Sequence, residues 1–191
     1  MDRVLFINAC VRSCSRTEQL AKALLEKLCG DVEEVDLSRA PIAALDMAGL
    51  ERRERAARER DFSHADFDLA KQFASADKIV IAAPYWDMMF PAVLKTYLEN
   101  ITVSGLTFRY SEQGRPQGLC RAKTLYYVTT AGGFIGENDF GVAYVKALAQ
   151  TFFGISDVRS YTAEGLDLFD ADVEAILQKA KAQIAADGSP H

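Results

Sequence analysis

Short apolar runs alternate along the chain with segments in which apolar residues recur every three or four positions. The runs, which are predicted to be strands, lie at residues 4–7, 32–37, 78–83, 124–129 and 158–162. The first is apolar throughout, and the third is apolar after Lys78, as expected of parallel strands whose two faces are both covered by helices. The second is more polar, which predicts a position near an edge of the sheet.

The segments between these runs carry their apolar residues on one helical face. The first such face consists of Leu20, Leu24, Leu25 and Leu28. Gly30 is predicted to stop this helix, and Pro91 to occupy the first position of a helix that continues through residues 93–101. Two more helices are predicted at residues 142–153 and 173–184. This alternation predicts an α/β fold, a doubly wound five-stranded parallel sheet with helices on both faces.

Two segments interrupt the alternation. Residues 47–60 combine charges of both signs with few apolar side chains, which is typical of a solvated helix face or a mobile loop. The alternative is a lid that reaches the site or a partner subunit. Residues 104–118 are predicted to form a short hairpin inserted after a helix. We expect a single domain over residues 1–186 and a frayed tail at residues 187–191.

Length, composition and charge narrow the class of protein. The chain has 191 residues, 49% of them hydrophobic, which is enough for one domain with a full core. No apolar run approaches the length of a membrane span and the start of the chain lacks the pattern of a signal peptide, so we expect a cytoplasmic protein without a membrane partner. The net charge of −5 argues against nucleic acid as the main partner.

The cysteines match no zinc-binding pattern. Of the four, at positions 10, 14, 29 and 120, only Cys10 and Cys14 are closely spaced, and the only histidines are His64 and His191. Reduced thiols are therefore expected. The alternative is a redox role for Cys10 and Cys14, because a thiol near a helix N-terminus can have a lowered pKa.

The loop after the first strand has the features of a phosphate site. Ser15 and Glu18 fit a capping box that starts the first helix, and a helix N-terminus offers unpaired N–H groups and a positive dipole end. Hydroxyls of Ser15 and Thr17 and a guanidinium from Arg12 or Arg16 would add donors. An ordinary capped helix with two exposed arginines would carry the same residues. Because the glycine-rich dinucleotide motif is missing, a mononucleotide is favoured.

The loops after the third and fourth strands are suited to a flat ring. The third strand leads into Tyr85-Trp86-Asp87-Met88-Met89-Phe90, whose large side chains can cover and wall a conjugated ring. Packing of Trp86 and Met89 under the next helix is the alternative. After the fourth strand, Gly132-Gly133 allows the backbone to approach a ligand closely, and Thr130 offers hydrogen bonds, although a plain turn also uses two glycines.

These three loops follow strands whose carboxyl ends share one edge of the predicted sheet. In an open parallel sheet, ligands bind outside that edge, where the strand order reverses. The loops therefore point to one ligand with a phosphate and a flat aromatic part, which describes flavin mononucleotide (FMN).

Six segments in order along the chain resemble the family of FMN-dependent NAD(P)H azoreductases and quinone reductases, which has a flavodoxin-like fold. They lie at residues 82–97, 105–110, 114–119, 130–133, 154–158 and 163–165. The resemblance spans nearly the whole chain and is weakest between residues 43 and 73. It implies FMN as the cofactor and NADH or NADPH as the co-substrate.

The resemblance also implies which residues bind FMN. The phosphate would be bound by Cys10, Ser15, Arg16 and Thr17. The ring and ribityl chain would be bound by Tyr85, Trp86, Asp87 and Met88. The edge of the ring would contact Thr130, Ala131, Gly132 and Gly133. Family members are homodimers with each active site at the subunit interface, so residues 47–60 and 108–110 are candidates for completing a partner's site. The positions that depart from the family's azoreductase pattern are Cys10, Asp87, Met88 and Ala131.

The implied activity is transfer of a hydride from NAD(P)H through flavin N5 to quinone, azo or nitroaromatic acceptors, in a ping-pong sequence on one face of the ring. No acid–base dyad is expected, and His64 lies in a polar stretch. Two other interpretations stay open. One is a non-enzymatic electron carrier or redox sensor with the same fold, and the other is a structural relative without flavin.

Overall fold

The apolar runs form one parallel sheet in the computed structural model, which describes residues 1–39 and 42–188. In chain order the strands are β1 (Arg3–Asn8), β2 (Asp31–Asp36), β3 (Lys78–Ala82), β4 (Phe108–Tyr110), β5 (Pro116–Gly118), β6 (Thr124–Thr130) and β7 (Asp157–Ala163). Five of them pair in the order β2-β1-β3-β6-β7, all parallel, while β4 and β5 form a separate antiparallel hairpin. This confirms the predicted sheet, with β2 at an edge, and the inserted hairpin. The strand order is that of flavodoxin-like folds.

Helices cover both faces of the sheet. They are α1 (Arg16–Leu28), α2 (Met47–Glu59), α3 (Asp68–Ser75), α4 (Ala92–Ile101), α5 (Phe140–Leu148), which continues as a π-helical turn (Ala149–Phe153), and α6 (Val173–Ala186). Alternate residues of β1 point to opposite faces: Val4 and Phe6 pack with α1 and α6, and Leu5 and Ile7 pack with α3, α4 and α5. Within the described residues, no helix is both long and apolar enough to cross a membrane.

Two helix ends differ from the sequence prediction. Helix α4 begins at Ala92, and Pro91 precedes it with a ψ of 142°, so Pro91 is the cap rather than the first helical residue. Helix α1 ends at Leu28, and its C-terminal cap is Cys29, in the left-handed conformation with φ 49°, rather than Gly30. Residue 30 must be glycine for another reason, because a Cβ there would lie 2.4 Å from Cγ2 of Val4. The chain at Gly30 therefore passes too close to β1 for any side chain.

The charged segment at residues 47–60 forms the mostly exposed helix α2. Its Arg53 donates hydrogen bonds to the carbonyl oxygens of Glu99, at 2.9 Å, and Asn100, near the end of α4. Ala56 is buried in the core on the same helix. A cation at the C-terminal end of a helix is favourable because the last carbonyls carry a partial negative charge. Helix α2 is therefore fixed to the fold through a charged contact as well as an apolar one.

The hairpin packs against the π-helical turn by direct contact between two backbones. A Cβ at Gly118 would lie 2.1 Å from the backbone nitrogen of Gly154 and the carbonyl carbon of Phe153. The ring of Phe108 packs edge to face on that of Phe152, with centroids 4.9 Å apart. Only glycine allows this approach, so residue 118 sets where the hairpin sits.

The start of the predicted tail is bound to the sheet. Arg159 and Tyr161 of β7 both donate hydrogen bonds to the carboxylate of Asp187, which follows α6. The hydrogen bond from Tyr161 and the charge of Arg159 hold the pKa of Asp187 below its usual range. Residues 189–191 of the predicted tail lie outside the described residues.

Candidate functional site

The loops after β1, β3 and β6, called here the first, second and third loops, meet at one cleft of about 220 Å³ at the carboxyl edge of the sheet. The three strands are neighbours in the sheet, which brings these loops side by side. Eight predicted residues line the cleft: Arg12, Ser15, Arg16, Thr17, Tyr85, Trp86, Thr130 and Gly132. The other five predicted residues, all within the described chain, lie outside its lining: Cys10, Asp87, Met88, Ala131 and Gly133.

The first loop presents two open backbone amides at the start of α1. The hydroxyl of Ser15 accepts a hydrogen bond from the amide of Glu18 at 3.3 Å. The carboxylate of Glu18 pairs with Lys22 at 2.6 Å, so the predicted capping box is only half formed. The amides of Arg16 and Thr17 donate no hydrogen bond within residues 1–39 and 42–188. Because they lie at the positive end of the helix dipole, this part of the cleft favours an anion.

The two arginines of the first loop have different surroundings. Arg12 is exposed and makes no ion pair within the described part of the chain. The guanidinium of Arg16 donates to the carbonyl oxygen of Leu166 at 3.1 Å and to a carboxylate oxygen of Asp167 at 2.8 Å. Arg12 is therefore the arginine whose donors are open to a bound anion.

A buried pair of hydroxyls joins the first and third loops. Oγ1 of Thr17 and Oγ1 of Thr130 lie 2.6 Å apart, and both residues are buried. Their hydrogen bond holds the first turn of α1 against the end of β6. Because only one of the two hydroxyls donates in this bond, the other keeps its proton for a ligand.

The second loop is a tight turn from Trp86 to Met89. The two residues exchange backbone hydrogen bonds of 2.9 and 2.8 Å, and the residues between them have positive φ, 49° at Asp87 and 69° at Met88. Residues other than glycine rarely adopt this backbone conformation. It costs about 1–3 kcal/mol per residue and is concentrated at functional segments. The amides of Asp87 and Met88 make no backbone hydrogen bond within the described chain. They remain available to a ligand.

The aromatic side chains of the second loop divide between cleft and core. Trp86 is 40% exposed and lines the cleft, so the alternative that it packs under the next helix is wrong. Met89 does pack against the core. Tyr85 lines the cleft, and its hydroxyl donates to the carbonyl oxygen of Asn138 at 3.0 Å. Trp86 therefore offers an accessible flat surface to a ring.

The two glycines of the third loop have different surroundings. A Cβ at Gly132 would lie 2.3 Å from a carboxylate oxygen of Asp167, whereas a Cβ at Gly133 would meet nothing within 4 Å. Ala131 is buried, and its amide donates to the carbonyl oxygen of Ala163 at 2.9 Å. Of the two glycines, Gly132 is thus the one where an added side chain would have to displace the carboxylate of Asp167.

A fourth loop, after β7, also reaches the cleft and was missed from the sequence. It lies along the third loop, with amides of residues 165, 166 and 167 donating to carbonyls of residues 133, 131 and 132 at 2.9–3.2 Å. Its Asp167 lines the cleft beside Arg16. The available signal was position alone, because the fourth loop follows a strand that ends at the same edge of the sheet.

The cysteines differ in exposure, and all four are free thiols. Cys10 is buried beneath the first loop, and burial raises the pKa of its thiol to about 11. A thiol with so high a pKa is a weak nucleophile at neutral pH, which argues against the alternative of a redox role for Cys10 and Cys14. Cys14 is exposed and lines the cleft, whereas Cys29 is exposed at the far end of α1.

The described residues hold no arrangement suited to a metal ion. No group of three or more histidine, cysteine, aspartate or glutamate side chains is placed to bind one within residues 1–39 and 42–188. His64 lies outside the cleft, where its ring accepts a hydrogen bond from the amide of Asp66 at 3.2 Å. Its position is that of a cap on a short 3₁₀ turn.

The fold and the site define a class of protein. The model of the family described as "Flavodoxin-like fold" matches residues 2–187, and the chain belongs to this family. Within it, the chain is similar to FMN-dependent NADH:quinone oxidoreductase 2 of Clostridium acetobutylicum, with 36% identity covering 96% of this chain and 98% of the relative. FMN-dependent NADH:quinone oxidoreductase of Lachnoclostridium phytofermentans is 35% identical over 95% of each chain.

Solved structures agree with this assignment. An azoreductase from Bacillus anthracis superposes with a TM-score of 0.84 at 26% identity, covering 97% of both chains. An FMN-dependent NADH-azoreductase from the same species, in complex with FMN, superposes with a TM-score of 0.76 over 97% of this chain, and at 22% identity this likeness supports the fold alone. The resemblance inferred from the sequence, to FMN-dependent azoreductases and quinone reductases, is confirmed.

Proposed function

We propose that this protein is an FMN-dependent oxidoreductase that passes electrons from NADH to quinone or azo acceptors. The observation that carries the proposal is the cleft itself, in which open amides at the N-terminus of α1 face the same space as the exposed ring of Trp86. An anion site beside a flat apolar surface fits a phosphate joined to a conjugated ring. The curated relatives named above, both NADH:quinone oxidoreductases, support the choice of substrates.

The residues present fit an FMN phosphate at the first loop. The amides of Arg16 and Thr17 would donate to phosphate oxygens, with the helix dipole behind them. Arg12 would add a charge-assisted contact, since its guanidinium has no ion pair within the described residues. Ser15 would contribute its hydroxyl proton while its oxygen still caps the helix.

The residues of the second and third loops fit the ring. Trp86 and Tyr85 would wall it. Asp87 and Met88 lie outside the cleft lining, next to Trp86, and their open amides would donate hydrogen bonds to a ring that extends past it. Gly132, which lines the cleft without a side chain of its own, would allow the backbone of the third loop to approach the ring closely. When bound, FMN would supply the chemistry, accepting a hydride from the nicotinamide and passing the electrons on at N5. The protein's part is to hold the ring and keep one face open to both substrates in turn, as a ping-pong sequence requires.

We further propose that the protein is a cytoplasmic homodimer whose second subunit helps to complete each site. Phe134 and Phe169, on the loops after β6 and β7, are largely exposed at the edge of the sheet that holds the cleft. Tyr110 on the hairpin is exposed as well. Aromatic side chains exposed around a ligand cleft are typical of a surface that contacts another molecule. A second copy of the chain would cover them.

The test of the function is anaerobic reduction of the flavin-loaded protein. The protein is loaded with FMN, freed of excess, and mixed with NADH while the absorbance near 450 nm is followed. We expect rapid bleaching that added benzoquinone reverses, with NADPH as the comparison. A bound flavin that stays yellow would favour the electron carrier or redox sensor, and a protein that binds no FMN would favour the relative without flavin.

The thiol of Cys14 provides a separate measure of where FMN binds. In the flavin-free protein, the two exposed thiols, Cys14 and Cys29, are expected to react quickly with a disulfide reagent such as DTNB, while Cys10 and Cys120 are buried. Adding FMN should slow the reaction of Cys14, because Cys14 lines the cleft, and leave that of Cys29 unchanged. The variant Cys14→Ser should show no effect of FMN on the remaining fast thiol. FMN that binds, as judged by fluorescence, without protecting Cys14 would place the site elsewhere.

A further inference from the structure

The side chain of Arg16 crosses from the first loop to the fourth. Although Arg16 starts helix α1, its guanidinium donates to the carbonyl oxygen of Leu166 at 3.1 Å and to the carboxylate of Asp167 at 2.8 Å. These contacts join residues that are 150 and 151 positions apart in the chain. The fourth loop is in turn bonded to the third by three backbone hydrogen bonds. Arg16 therefore links the first loop to the third through the fourth.

The charge of Arg16 is already matched within the protein. Asp167 forms an ion pair with it, so the pair together brings little net charge to an incoming phosphate. Arg12 also lines the cleft, but it is exposed and makes no ion pair within the described residues. Of the two arginines, Arg12 is therefore the one whose positive charge can pair with a bound anion.

Asp167 occupies a position that the neighbouring backbone defines. Its carboxylate lies over Gly132, where a Cβ would come within 2.3 Å of it, and its amide donates to the carbonyl oxygen of the same glycine at 2.9 Å. The residue is therefore held at two points, through its amide by the carbonyl oxygen of Gly132 and through its carboxylate by Arg16. Such an arrangement fixes the fourth loop rather than leaving its carboxylate free to move.

We propose that the side chain of Arg16 is a positioning residue and not a ligand of the phosphate. It holds the fourth loop, through Asp167 and Leu166, so that the third loop is correctly placed beside the ring. Arg12 is the arginine that contacts the phosphate. This inference rests on the proposed FMN site, and it reassigns the role that the family resemblance gives to the Arg16 side chain, while its amide remains at the anion site.

Hydrogen–deuterium exchange of the flavin-free protein tests the link without any ligand. The amides of Leu166 and Asp167, which donate to the third loop, should exchange roughly tenfold faster in Arg16→Met and in Asp167→Ala. The double variant should exchange no faster than Arg16→Met alone, because both changes break the same contact. Arg12→Gln is the matched control and should leave these amides at the wild-type rate. Wild-type exchange in Arg16→Met would overturn the proposal.

Comparison of FMN with riboflavin, which lacks the phosphate, separates the two arginines. Fluorescence titrations should show that Arg12→Gln weakens the binding of FMN roughly tenfold and that of riboflavin only slightly. Arg16→Met should weaken the binding of both by a similar factor. A loss confined to FMN in Arg16→Met would make Arg16 a phosphate ligand and overturn the proposal. Failure of the wild-type protein to bind FMN would instead refute the proposed function, and the exchange rates of the same variants would still decide whether Arg16 holds the fourth loop.

Discussion

An aspartate at position 15 is expected to weaken FMN binding by about a hundredfold or more. Ser15 caps α1 at the anion end of the cleft, and its oxygen accepts a hydrogen bond from the amide of Glu18. Aspartate is an equally good cap, so the helix should form as before. Its carboxylate would, however, face the phosphate at close range, where two like charges about 4 Å apart repel by about 4 kcal/mol at an effective dielectric constant near 20. Fluorescence titration of the flavin-free protein measures the loss.

The matched control is Ser15→Asn, which has the shape and the capping ability of aspartate without its charge. It should bind FMN far more tightly than Ser15→Asp, and the two variants should bind riboflavin alike. Thermal unfolding curves should also coincide closely, which would show that the charge and not the helix is responsible. Equal FMN affinity in the two variants would mean that no phosphate lies near residue 15.

Replacing Gly118 with alanine is expected to lower the stability of the protein more than replacing Gly114, the other glycine of the hairpin. The new Cβ would lie 2.1 Å from backbone atoms of Phe153 and Gly154. A flexible side chain could rotate away from such a contact, but these backbone atoms cannot. The hairpin or the π-helical turn must move, at a cost of about 3 kcal/mol, which corresponds to a fall in melting temperature of roughly 10 °C. Differential scanning calorimetry or a thermal circular dichroism scan measures it.

Gly114→Ala, in the turn of the same hairpin, is the control for this experiment. Gly114 has a φ of +72° but a Cβ there would meet nothing within 4 Å, so only the conformational cost of about 1 kcal/mol is expected. A Gly118→Ala variant no less stable than Gly114→Ala would show that the hairpin does not rest on the π-helical turn in solution.

Most of the sheet could be predicted from the sequence, because parallel strands covered on both faces must be apolar along their whole length. The run at residues 78–83 and the strand β3 (Lys78–Ala82) differ by a single residue. Helix α2 was harder to interpret, since its block of mixed charges has little apolar periodicity. The contact from Arg53 to the end of α4 depends on where a helix ends 46 and 47 positions later, which local patterns do not encode.

The candidate site was predicted in outline for a similar reason. Loops after neighbouring strands must meet at one edge, so Ser15, Trp86 and Gly132 could be placed together from the strand order alone. The direction of a side chain within a loop is a different matter. Cys10 points into the core beneath the first loop, and Asp167 joins the site from a distant part of the chain. Neither could be inferred from spacing, because both depend on the exact path of the backbone.

The polar edge strand β2 has a consequence for how copies of this protein can associate. It carries Asp31, Glu33, Glu34 and Asp36, and it pairs only with β1 within the described sheet. An open edge can recruit the same strand of another molecule and lead to aggregation, unless charges oppose the pairing. Two copies of β2 brought side by side would place like charges across from each other. The β2 edge is thereby protected from edge-to-edge pairing, and β7 is left as the other edge of the sheet.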